Sequence, residues 1–404
     1  GRMSGRKHIA IVGGGLVGAV AALALQQRGF DISLIDRERP MPGPQGLGMD
    51  IRNVALSHSS RRLFESLVDW PEQAGEFKAM HVWEQWGVNS LHFDAADLGC
   101  DCLGWVAEVA HLLTALWQTI ETTPSIQTVF GEVESVTERE GSVTLCLQER
   151  SIEADLLIAS DGARSGVRNH LKVPTQIRPT GQMALTTVVE LEHSHQHTAW
   201  QRFLVDGPLA FLPSKQENYC SVVWSQSQQS LDANLAMSDG EFCQHIGRAM
   251  ESRFGDVTAV AQRLSFPLQQ QLASTAQPLP RVLLIGDALR VVHPLAGLGV
   301  NLGFEDVRGL LGSVDAMDGD LVPRGFTKFA RQRLLKSRLM LGVLSGLQTL
   351  YGQSDPMTSW VRNIGVGAVN TTDWLKQQIM LEALGGFDAL DAAENVKNNA
   401  RLAL

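Results

Sequence analysis

The sequence of 404 residues lacks a basic excess, a large set of cysteines and any long uncharged apolar run. Lysine and arginine number 34 against 43 acidic residues, which gives a formal net charge of −9. This balance argues against a nucleic-acid partner, because such a partner favours a concentrated basic face. The missing apolar run argues against a bilayer-spanning helix. At this length we expect a globular chain of two or three domains.

The cysteines are too few and too scattered for a disulfide framework. They stand at positions 100, 102, 146, 220 and 243. An odd, dispersed set predicts reduced thiols in a cytoplasmic protein. Cys100 and Cys102 lack the second cysteine pair that a zinc site needs. The alternating His193, His195 and His197 lie in a polar run that is typical of an exposed loop, so we predict no metal site.

The first positive signal is a glycine-rich turn after an apolar strand. His8–Val12 is predicted as a buried parallel strand, and GGGLVG then supplies Gly13, Gly15 and Gly18 of a G-x-G-x-x-G pattern. The first glycine permits a tight turn, the second lets a pyrophosphate approach, and the third lets a helix pack closely. That helix, predicted over 19–28, directs unpaired N–H groups at the phosphates.

A second apolar strand, Asp31–Ile35, completes this unit. It ends at Asp36, where an acid can accept hydrogen bonds from an adenosine ribose. The unit predicts dinucleotide binding without separating NAD from FAD. A later G-x-G at Gly365 and Gly367 lacks a preceding strand and is interpreted as a turn, so one such unit is expected.

Two later segments repeat the order of strand, glycine and aspartate. Glu153–Ala159 is predicted as a strand that leads into SDGARSGVR, with Asp161 in a tight turn before a short helix. A plain helix start capped by Asp161 is the alternative. Arg281–Ile285 leads into GDALRVVHPLAGLGVNLG (286–303), which has no serine, cysteine or lysine to act as a nucleophile. A helix is expected to begin near Leu298–Val300.

The remaining segments predict the domain organisation. Residues 175–280 alternate or carry β-branched and aromatic residues, as antiparallel strands do, while Asn53–Val68, Glu108–Thr122 and the chain after Pro323 are predicted helices. The expected fold class is α/β: a Rossmann-like dinucleotide-binding domain, interrupted by an antiparallel β-sheet substrate domain and followed by C-terminal helices. The predicted ranges are 1–75, 101–174 and 281–335 for the first domain, 76–100 and 175–280 for the sheet domain, and 336–404 for the C-terminal helices.

In this order, the three motifs resemble those of the class A, single-component FAD-dependent aromatic monooxygenases, which have the para-hydroxybenzoate hydroxylase fold. Further stretches are similar to one branch, the ubiquinone-biosynthesis hydroxylases. These are DIRNVALS (50–57), LGWVAE (103–108), GPLAFLP (207–213), SVVW (221–224) and WVRNIG (360–365). The similarity covers nearly the whole chain.

The resemblance implies residue roles around FAD. Gly13, Gly15, Gly18 and Asp36 would hold its ADP half, and Arg52 would lie near the flavin and its phosphates.

The other implied roles belong to the second and third motifs. Asp161 would support FAD binding and the reductant's approach, and Asp287, after Gly286, would hydrogen-bond the ribityl chain. The residues implied to line the isoalloxazine are Pro294, Gly297, Gly299, Val300 and Asn301. His293 and Pro294 are the candidate catalytic residues, as a proton carrier and a wall of the active site. A helix start here would direct its dipole at the negative edge of a reduced flavin.

The implied reaction is ring hydroxylation. NAD(P)H would reduce FAD, dioxygen would give a C(4a)-hydroperoxide, and its distal oxygen would pass to a polyprenylated phenol or quinol. Such a hydrophobic partner needs an apolar tunnel, for which Phe211, Leu212, Pro213, Val223 and Trp224 are candidates, with ordinary sheet core as the alternative. There are two alternative functions: hydroxylation of another aromatic substrate, and a non-catalytic role as an accessory flavoprotein of the pathway.

The sequence departs from the pattern of this branch. In the usual G-D-A-A-H-x-x-H-P-L-A-G-Q-G, Leu289 and Arg290 replace Ala-His, and Leu298 replaces Gln. The usual V-E-N-R or V-E-N-x is Ala-Glu-Val-Ala, so Val109 and Ala110 stand where a polar or basic group would face the cofactor. We hypothesise that Arg290 supplies replacement charge near the phosphates.

One C-terminal helix bears on location. Its Arg331, Arg333, Lys336 and Arg338 interleave with leucines. A solvated basic face on a packed helix is one interpretation, and association with a membrane surface or a biosynthetic complex is the other. The chain is expected in the cytoplasm, with a peripheral position at the inner membrane as the alternative.

Overall fold

The computed structural model describes residues 5–85, 90–292 and 298–349. Its strands are β1 His8–Val12, β2 Asp31–Asp36, β3 Gln45–Gly46, β4 Met49–Asp50, β5 Asn53–Leu56, β6 Gly75–Phe77, β7 Ala79–Glu84, β8 Ser90–Asp94, β9 Gly104–Glu108, β10 Ile126–Phe130, β11 Val133–Arg139, β12 Ser142–Leu147, β13 Arg150–Ala154, β14 Leu156–Ala159, β15 Thr175–Leu191, β16 Thr198–Leu204, β17 Gly207–Pro213, β18 Tyr219–Ser227, β19 Val257–Val260, β20 Leu264–Ala273, β21 Val282–Leu284 and β22 Arg290–Val291. Its α-helices are α1 Leu16–Gln27, α2 His58–Glu65, α3 Val109–Glu121, α4 Gly166–His170, α5 Gln228–Ala236, α6 Asp239–Ala249, α7 Leu298–Ala316 and α8 Thr327–Thr349.

A five-stranded parallel sheet, in the order β10-β2-β1-β14-β21, carries the three motifs. Alternate residues of β1 point to opposite faces, as the pleat requires. Ile9 and Ile11 pack with α1, α3 and α7, whereas Ala10 and Val12 pack with the meander β11-β12-β13. Because both faces are covered, the strands are apolar throughout.

The second sheet has nine strands, in the order β22-β20-β15-β18-β17-β16-β7-β8, with β19 paired to β15. Its strands are antiparallel except for β16 and β7, which run parallel. One face packs on α5 and α6, where Phe242 and Ile246 meet the strands. The α/β fold class, with an antiparallel sheet in the middle of the chain and a helix after Pro323, is confirmed. The predicted domain ranges remain our interpretation.

Two predicted elements are wrong in part. The predicted helix Asn53–Val68 begins as strand β5, which pairs with β9, and α2 starts only after Ser57, whose side chain accepts from the Ser60 N–H. The predicted strand Glu153–Ala159 is broken at Asp155, because this carboxylate turns inward to accept the His8 N–H at 2.8 Å. In both cases a polar side chain captures a backbone N–H and ends the element.

No helix within residues 5–85, 90–292 and 298–349 combines the length and apolar character needed to cross a membrane. The predicted turn at Gly365 and Gly367, and the whole of 350–404, lie outside the described residues.

Candidate active site

The first motif folds tightly against the second through two of its glycines. Gly13 has a φ of +100°, and a Cβ there would lie 2.2 Å from the Ser160 carbonyl oxygen. A Cβ at Gly18 would lie only 1.7 Å from the Gly13 carbonyl oxygen. The Ser160 hydroxyl also lies 3.0 Å from the carbonyl oxygens of Val12 and Gly13, so it can donate to either. Gly13 and Gly18 therefore serve close packing of the turn.

Gly15 has a different role, because no atom of the described residues lies within 4 Å of the position its Cβ would take. It is the N-cap of α1, and among those residues no side chain caps that helix. The first N–H groups of α1 are thus available to an anion that approaches from the open side. This is the arrangement that a pyrophosphate needs.

Asp36 and a tryptophan hold the turn between these glycines. The Gly14 N–H donates to Asp36 Oδ2 at 2.8 Å, and Trp117 Nε1 donates to the Gly14 carbonyl at 2.8 Å. A Cβ at Gly14 would lie 2.5 Å from the Trp117 ring. Trp117 is buried on α3, and no motif in the sequence indicated this contact.

The second motif begins with Asp161, whose carboxylate serves the start of α4. It accepts from the Ser165 hydroxyl and from the Val167 N–H. Burial raises the pKa of Asp161, and the hydrogen bond from Ser165 opposes that rise. The N-cap of α4 is Ser165, whose hydroxyl accepts from the Arg168 N–H, and Asp161 supports that cap. The neighbouring Gly162 and Ala163, rather than the carboxylate, line the cavity described below.

The third motif places an acid beside the start of α7. Asp287 Oδ1 lies 3.7 Å from the position that a Cβ on Gly299 would take. Asp287 is exposed on the cavity side, while the protein around its carboxylate partly desolvates that group. Burial raises the pKa of Asp287, while Arg290 lowers it and Asp306 raises it.

One cavity of about 630 Å³ joins these features. On the dinucleotide side it is lined by Gly15, Leu16, Val17, Arg52, Asn53, Val54, Val109, Ser160, Gly162, Ala163, Gly286, Asp287, Val291, Val292, Gly299 and Val300. On the other side it is lined by Ile51, Thr186, Leu212, Ser221, Val223, Phe266, Pro267, Leu268 and Gln269. Eight predicted site residues meet here: Gly15, Arg52, Leu212, Val223, Gly286, Asp287, Gly299 and Val300.

The pleat of β17 and β18 divides the five substrate candidates between the two faces of the sheet. Leu212 and Val223 line the cavity. Phe211 and Trp224 pack on the other face, where Phe211 stacks on Phe254 and Trp224 meets the Phe242 ring. Pro213 is buried in β17 without lining the cavity. For Phe211 and Trp224 the tunnel interpretation is corrected to the sheet-core alternative, because their strands turn these side chains toward α5 and α6.

The hypothesis for Arg290 is also corrected. Its side chain is 1% exposed and pairs with Asp306 in the protein interior. A guanidinium that is enclosed in this way does not offer charge to cofactor phosphates. Val109 does line the cavity, and the Ala110 N–H donates to Asp50 Oδ2 at 2.9 Å, so a carboxylate of the chain itself caps α3.

The side chain of Asn301 is engaged elsewhere too. Its oxygen accepts from the Ser57 N–H at 3.1 Å and the Ser60 hydroxyl at 2.6 Å, and its nitrogen donates to the Ala55 carbonyl at 2.8 Å. It joins α7 to the start of α2 and is a positioning residue rather than a cofactor contact through its side chain.

The remaining candidates are placed as follows. His293, Pro294, Gly297 and the side chain of Leu298 lie outside the described residues. His195 is buried in the turn between β15 and β16, where burial lowers its pKa to about 4, although its ring lies 2.9 Å from the Gln216 carbonyl. His193 is exposed, as we expected for the histidine triplet, and only the burial of His195 differs from the expected exposed loop.

The cavity fits FAD on two independent observations. The α1 N-terminus opens to it without a side chain at Gly15, and the first turn of α7 opens to it at Gly299 and Val300. Helix N-termini accept the two negative parts of FAD, its pyrophosphate and its reduced ring. Asp36 holds the turn before α1, and Asp287 lies beside the first turn of α7.

A family model described as an FAD binding domain matches residues 6–314. The 3-demethoxyubiquinol 3-hydroxylase of Escherichia coli is 33% identical over 392 residues, covering 94% of this chain and 98% of that enzyme. This chain belongs to the ubiquinone-biosynthesis hydroxylases. The ubiquinone hydroxylase UbiL of Rhodospirillum rubrum is 30% identical over 390 residues, covering 93% of this chain and 89% of that protein.

Solved structures agree on the fold. The p-nitrophenol 4-monooxygenase PnpA from Pseudomonas putida matches with a TM-score of 0.71 at 18% identity, over 93% of this chain and 97% of that one. HpxO of Klebsiella pneumoniae, complexed with FAD and uric acid, matches with a TM-score of 0.65 at 17% identity, over 94% and 97%. The predicted enzyme class is confirmed: this hydroxylase is an FAD-dependent monooxygenase. NAD(P)H as reductant and dioxygen as co-substrate are typical of that class.

Proposed function

We propose that this hydroxylase acts on the aromatic ring of a polyprenylated phenol or quinol. The observation that supports this proposal is the cavity, which has one polar side and one largely apolar side. One side presents helix N-termini and the acid Asp287, and the other presents Leu212, Val223 and Phe266. A polar, redox-active cofactor fits the first side and a hydrophobic ring fits the second.

The charge of the lining favours a neutral substrate. Among the described residues that line the cavity, Arg52 is the one lysine or arginine, and it lies on the dinucleotide side. The sheet side has Thr186, Ser221 and Gln269 as uncharged polar groups. A substrate with a carboxylate would leave that charge unpaired in this wall, which is costly.

Residue roles follow from the positions of the side chains. Gly15 and the α1 N-terminus would hold the pyrophosphate, Asp36 the ribose and Asp287 the ribityl hydroxyls. The first turn of α7, at Gly299 and Val300, would face the ring of the cofactor. When it is reduced by NAD(P)H, bound FAD activates dioxygen for transfer to an electron-rich ring. The apolar wall would orient the substrate ring and exclude water.

The test uses purified holoenzyme, NAD(P)H and three substrates: a demethoxyubiquinol analogue with a short isoprenoid tail, the same ring without the tail, and a carboxylated phenol. We expect coupled hydroxylation of the tailed ring, and a kcat/KM at least about tenfold lower without the tail, because several buried methylenes are lost. Preference for the carboxylated phenol would indicate another aromatic substrate. No FAD retention and no NAD(P)H oxidation after reconstitution would indicate an accessory protein.

We further propose that α8 meets an anionic membrane surface. Leu335 and Leu339 are 69% and 60% exposed, and Arg331 and Arg338 are exposed beside them. This basic, apolar face contrasts with the net charge of −9 of the whole chain. Arg333 is instead buried, so the face is narrower than the sequence pattern indicated.

Co-sedimentation with vesicles tests this face. We expect binding to phosphatidylglycerol vesicles that weakens with salt, weak binding to phosphatidylcholine, and loss of binding in a Leu335→Ser, Leu339→Ser variant. The matched control is Leu235→Ser, at an exposed leucine of α5. Equal binding by the double variant and the wild type would exclude this role of α8.

A further inference from the structure

Three charged side chains from separate elements meet beneath the Gly286–Asp287 turn. Arg290 follows the turn, Asp306 lies on α7 and Arg333 lies on α8. They are 1%, 0% and 7% exposed. Both arms of the Arg290 guanidinium donate to the two oxygens of Asp306, and Arg333 Nε donates to one of them. We call these three residues the charge cluster.

The charge cluster holds both backbone polar groups of Gly286. The Gly286 N–H donates to Asp306 Oδ2 at 2.8 Å, and Arg290 Nη1 donates to the Gly286 carbonyl at 3.2 Å. Gly286 has a φ of +60°, a conformation that an isolated turn does not fix by itself. The arginine–aspartate pair thus fixes this glycine from both sides.

Helix α8 holds the Arg290–Asp306 pair in place. Arg290 Nε donates to the Ser337 hydroxyl at 3.0 Å, and that hydroxyl donates to the Arg333 carbonyl at 2.7 Å. Arg333 also donates to Glu305 at 2.9 Å. Desolvation alone would raise the pKa of Asp306, but Arg290 and Arg333 outweigh it and hold that pKa below its usual value. The carboxylate therefore stays ionised and keeps its hydrogen bonds.

We propose that Arg290 is a positioning residue for the cofactor site: through Asp306 it holds the Gly286–Asp287 turn in the shape that presents Asp287 to FAD. The reason is geometric. Gly286 and Asp287 line the cavity, and no residue of the charge cluster does. A buried ion pair adds little stability over apolar packing of the same volume, so fixing a turn is a better account of its presence.

This assignment also gives a physical meaning to the departure from the usual Ala-His at positions 289 and 290. Leu289 is fully buried in the core, and Arg290 points into the charge cluster. The arginine acts through the turn rather than on the phosphates. The inference needs FAD as the cofactor and does not depend on the proposed substrate.

The test measures FAD binding and local hydrogen exchange in an Arg290→Met variant, which keeps the side-chain length and loses the donors. The matched control is Arg28→Met. Arg28 also makes a two-armed bond to an aspartate of α7, Asp315, at 2.7 and 3.1 Å, but this pair is away from the cavity. Both are measured as folded apoprotein titrated with FAD, with flavin fluorescence for the dissociation constant and exchange mass spectrometry for the peptide that contains Gly286.

We expect Arg290→Met to weaken FAD binding by about tenfold or more, because the charged hydrogen bond to the Gly286 carbonyl is lost and Asp306 loses its two-armed partner. Exchange at the Gly286 amide should accelerate, whereas Arg28→Met should leave both readouts within about twofold. Unchanged FAD affinity in folded Arg290→Met, or an equal loss in Arg28→Met, would overturn the proposal. If Arg290→Met does not fold, Arg290→Lys decides: it keeps the charge but cannot bridge Gly286 and both Asp306 oxygens. Wild-type affinity in Arg290→Lys would overturn the proposal, and a several-fold loss would support it.

Discussion

The two sides of the cavity are built on different principles. On the dinucleotide side the first two motifs approach each other through backbone, with Gly13 and Gly18 at the closest contacts. On the sheet side the contacts are made by side chains, and the pleat decides which of them face the cavity. Gly18 is needed because of the Gly13 carbonyl, whereas Leu212 faces the cavity only because its neighbour Phe211 faces the other way.

This difference shows where a substitution disturbs folding and where it disturbs function. A glycine in a backbone contact permits no additional atom, so its replacement affects fold and cofactor together. A substitution at a strand residue affects either the fold or the cofactor site, according to the face of the sheet that the residue occupies. The following predictions test that contrast, and the largest expected effect comes first.

Gly18→Ala should give the largest loss of function, because an enzyme that does not retain FAD has no activity left. Its Cβ would lie 1.7 Å from the Gly13 carbonyl oxygen, so the turn must shift, at a cost of about 3 kcal/mol, and FAD should no longer be retained. The control is Gly312→Ala on α7, where no atom within the described part of the chain lies within 4 Å of the new atom. That change should be neutral or stabilise by up to about 1 kcal/mol. Thermal unfolding and flavin content measure both. Normal FAD retention by Gly18→Ala would contradict the packing role.

Phe211→Ala and Leu212→Ala compare the two faces of β17. Phe211→Ala should cost about 3–5 kcal/mol in urea unfolding, with the ratio of product to NAD(P)H oxidised unchanged in the folded fraction. Leu212→Ala should cost about 2 kcal/mol at most, because the removed atoms border existing space, but should lower that ratio as peroxide escapes. Similar uncoupling in both variants would mean that the faces are not distinct in function.

Asp287→Asn should have the smallest effect on stability. Burial raises the pKa of Asp287 in the folded state, so the folded protein binds more protons than the unfolded chain, and wild-type stability falls as pH rises through that folded pKa. Apoprotein with Asp287→Asn should therefore melt higher at pH 7, by no more than about 2 °C because the side chain opens to the cavity. Below pH 3.8, the ordinary pKa of an aspartate, the melting temperatures of the variant and the wild type should converge. A lower melting temperature of the variant than of the wild type at pH 7 would contradict the predicted direction of the change.

Much of the dinucleotide side could be predicted from local pattern. The apolar strand at His8–Val12, the glycine spacing after it and the acid at Asp36 are fixed by short-range geometry, and the structure has the strand at these bounds. The helix beginning at Leu298 also lies where it was expected. By contrast, Asn53–Leu56 was predicted as helix, because its pairing partner, β9, is distant in sequence. Trp117 was missed for the same reason.

The sequence by itself determined the fold class, the order of the three motifs and the membership of the flavin-dependent hydroxylases, because each motif is a local run of strand, turn and helix. Only the tertiary structure decided where the ambiguous side chains point. It turned Phe211 and Trp224 into the sheet core, and it enclosed Arg290 with Asp306 and Arg333. The reason is physical: a strand residue takes its face from the partners that cover the sheet, and a buried charge takes its role from a counter-charge that the chain brings from elsewhere.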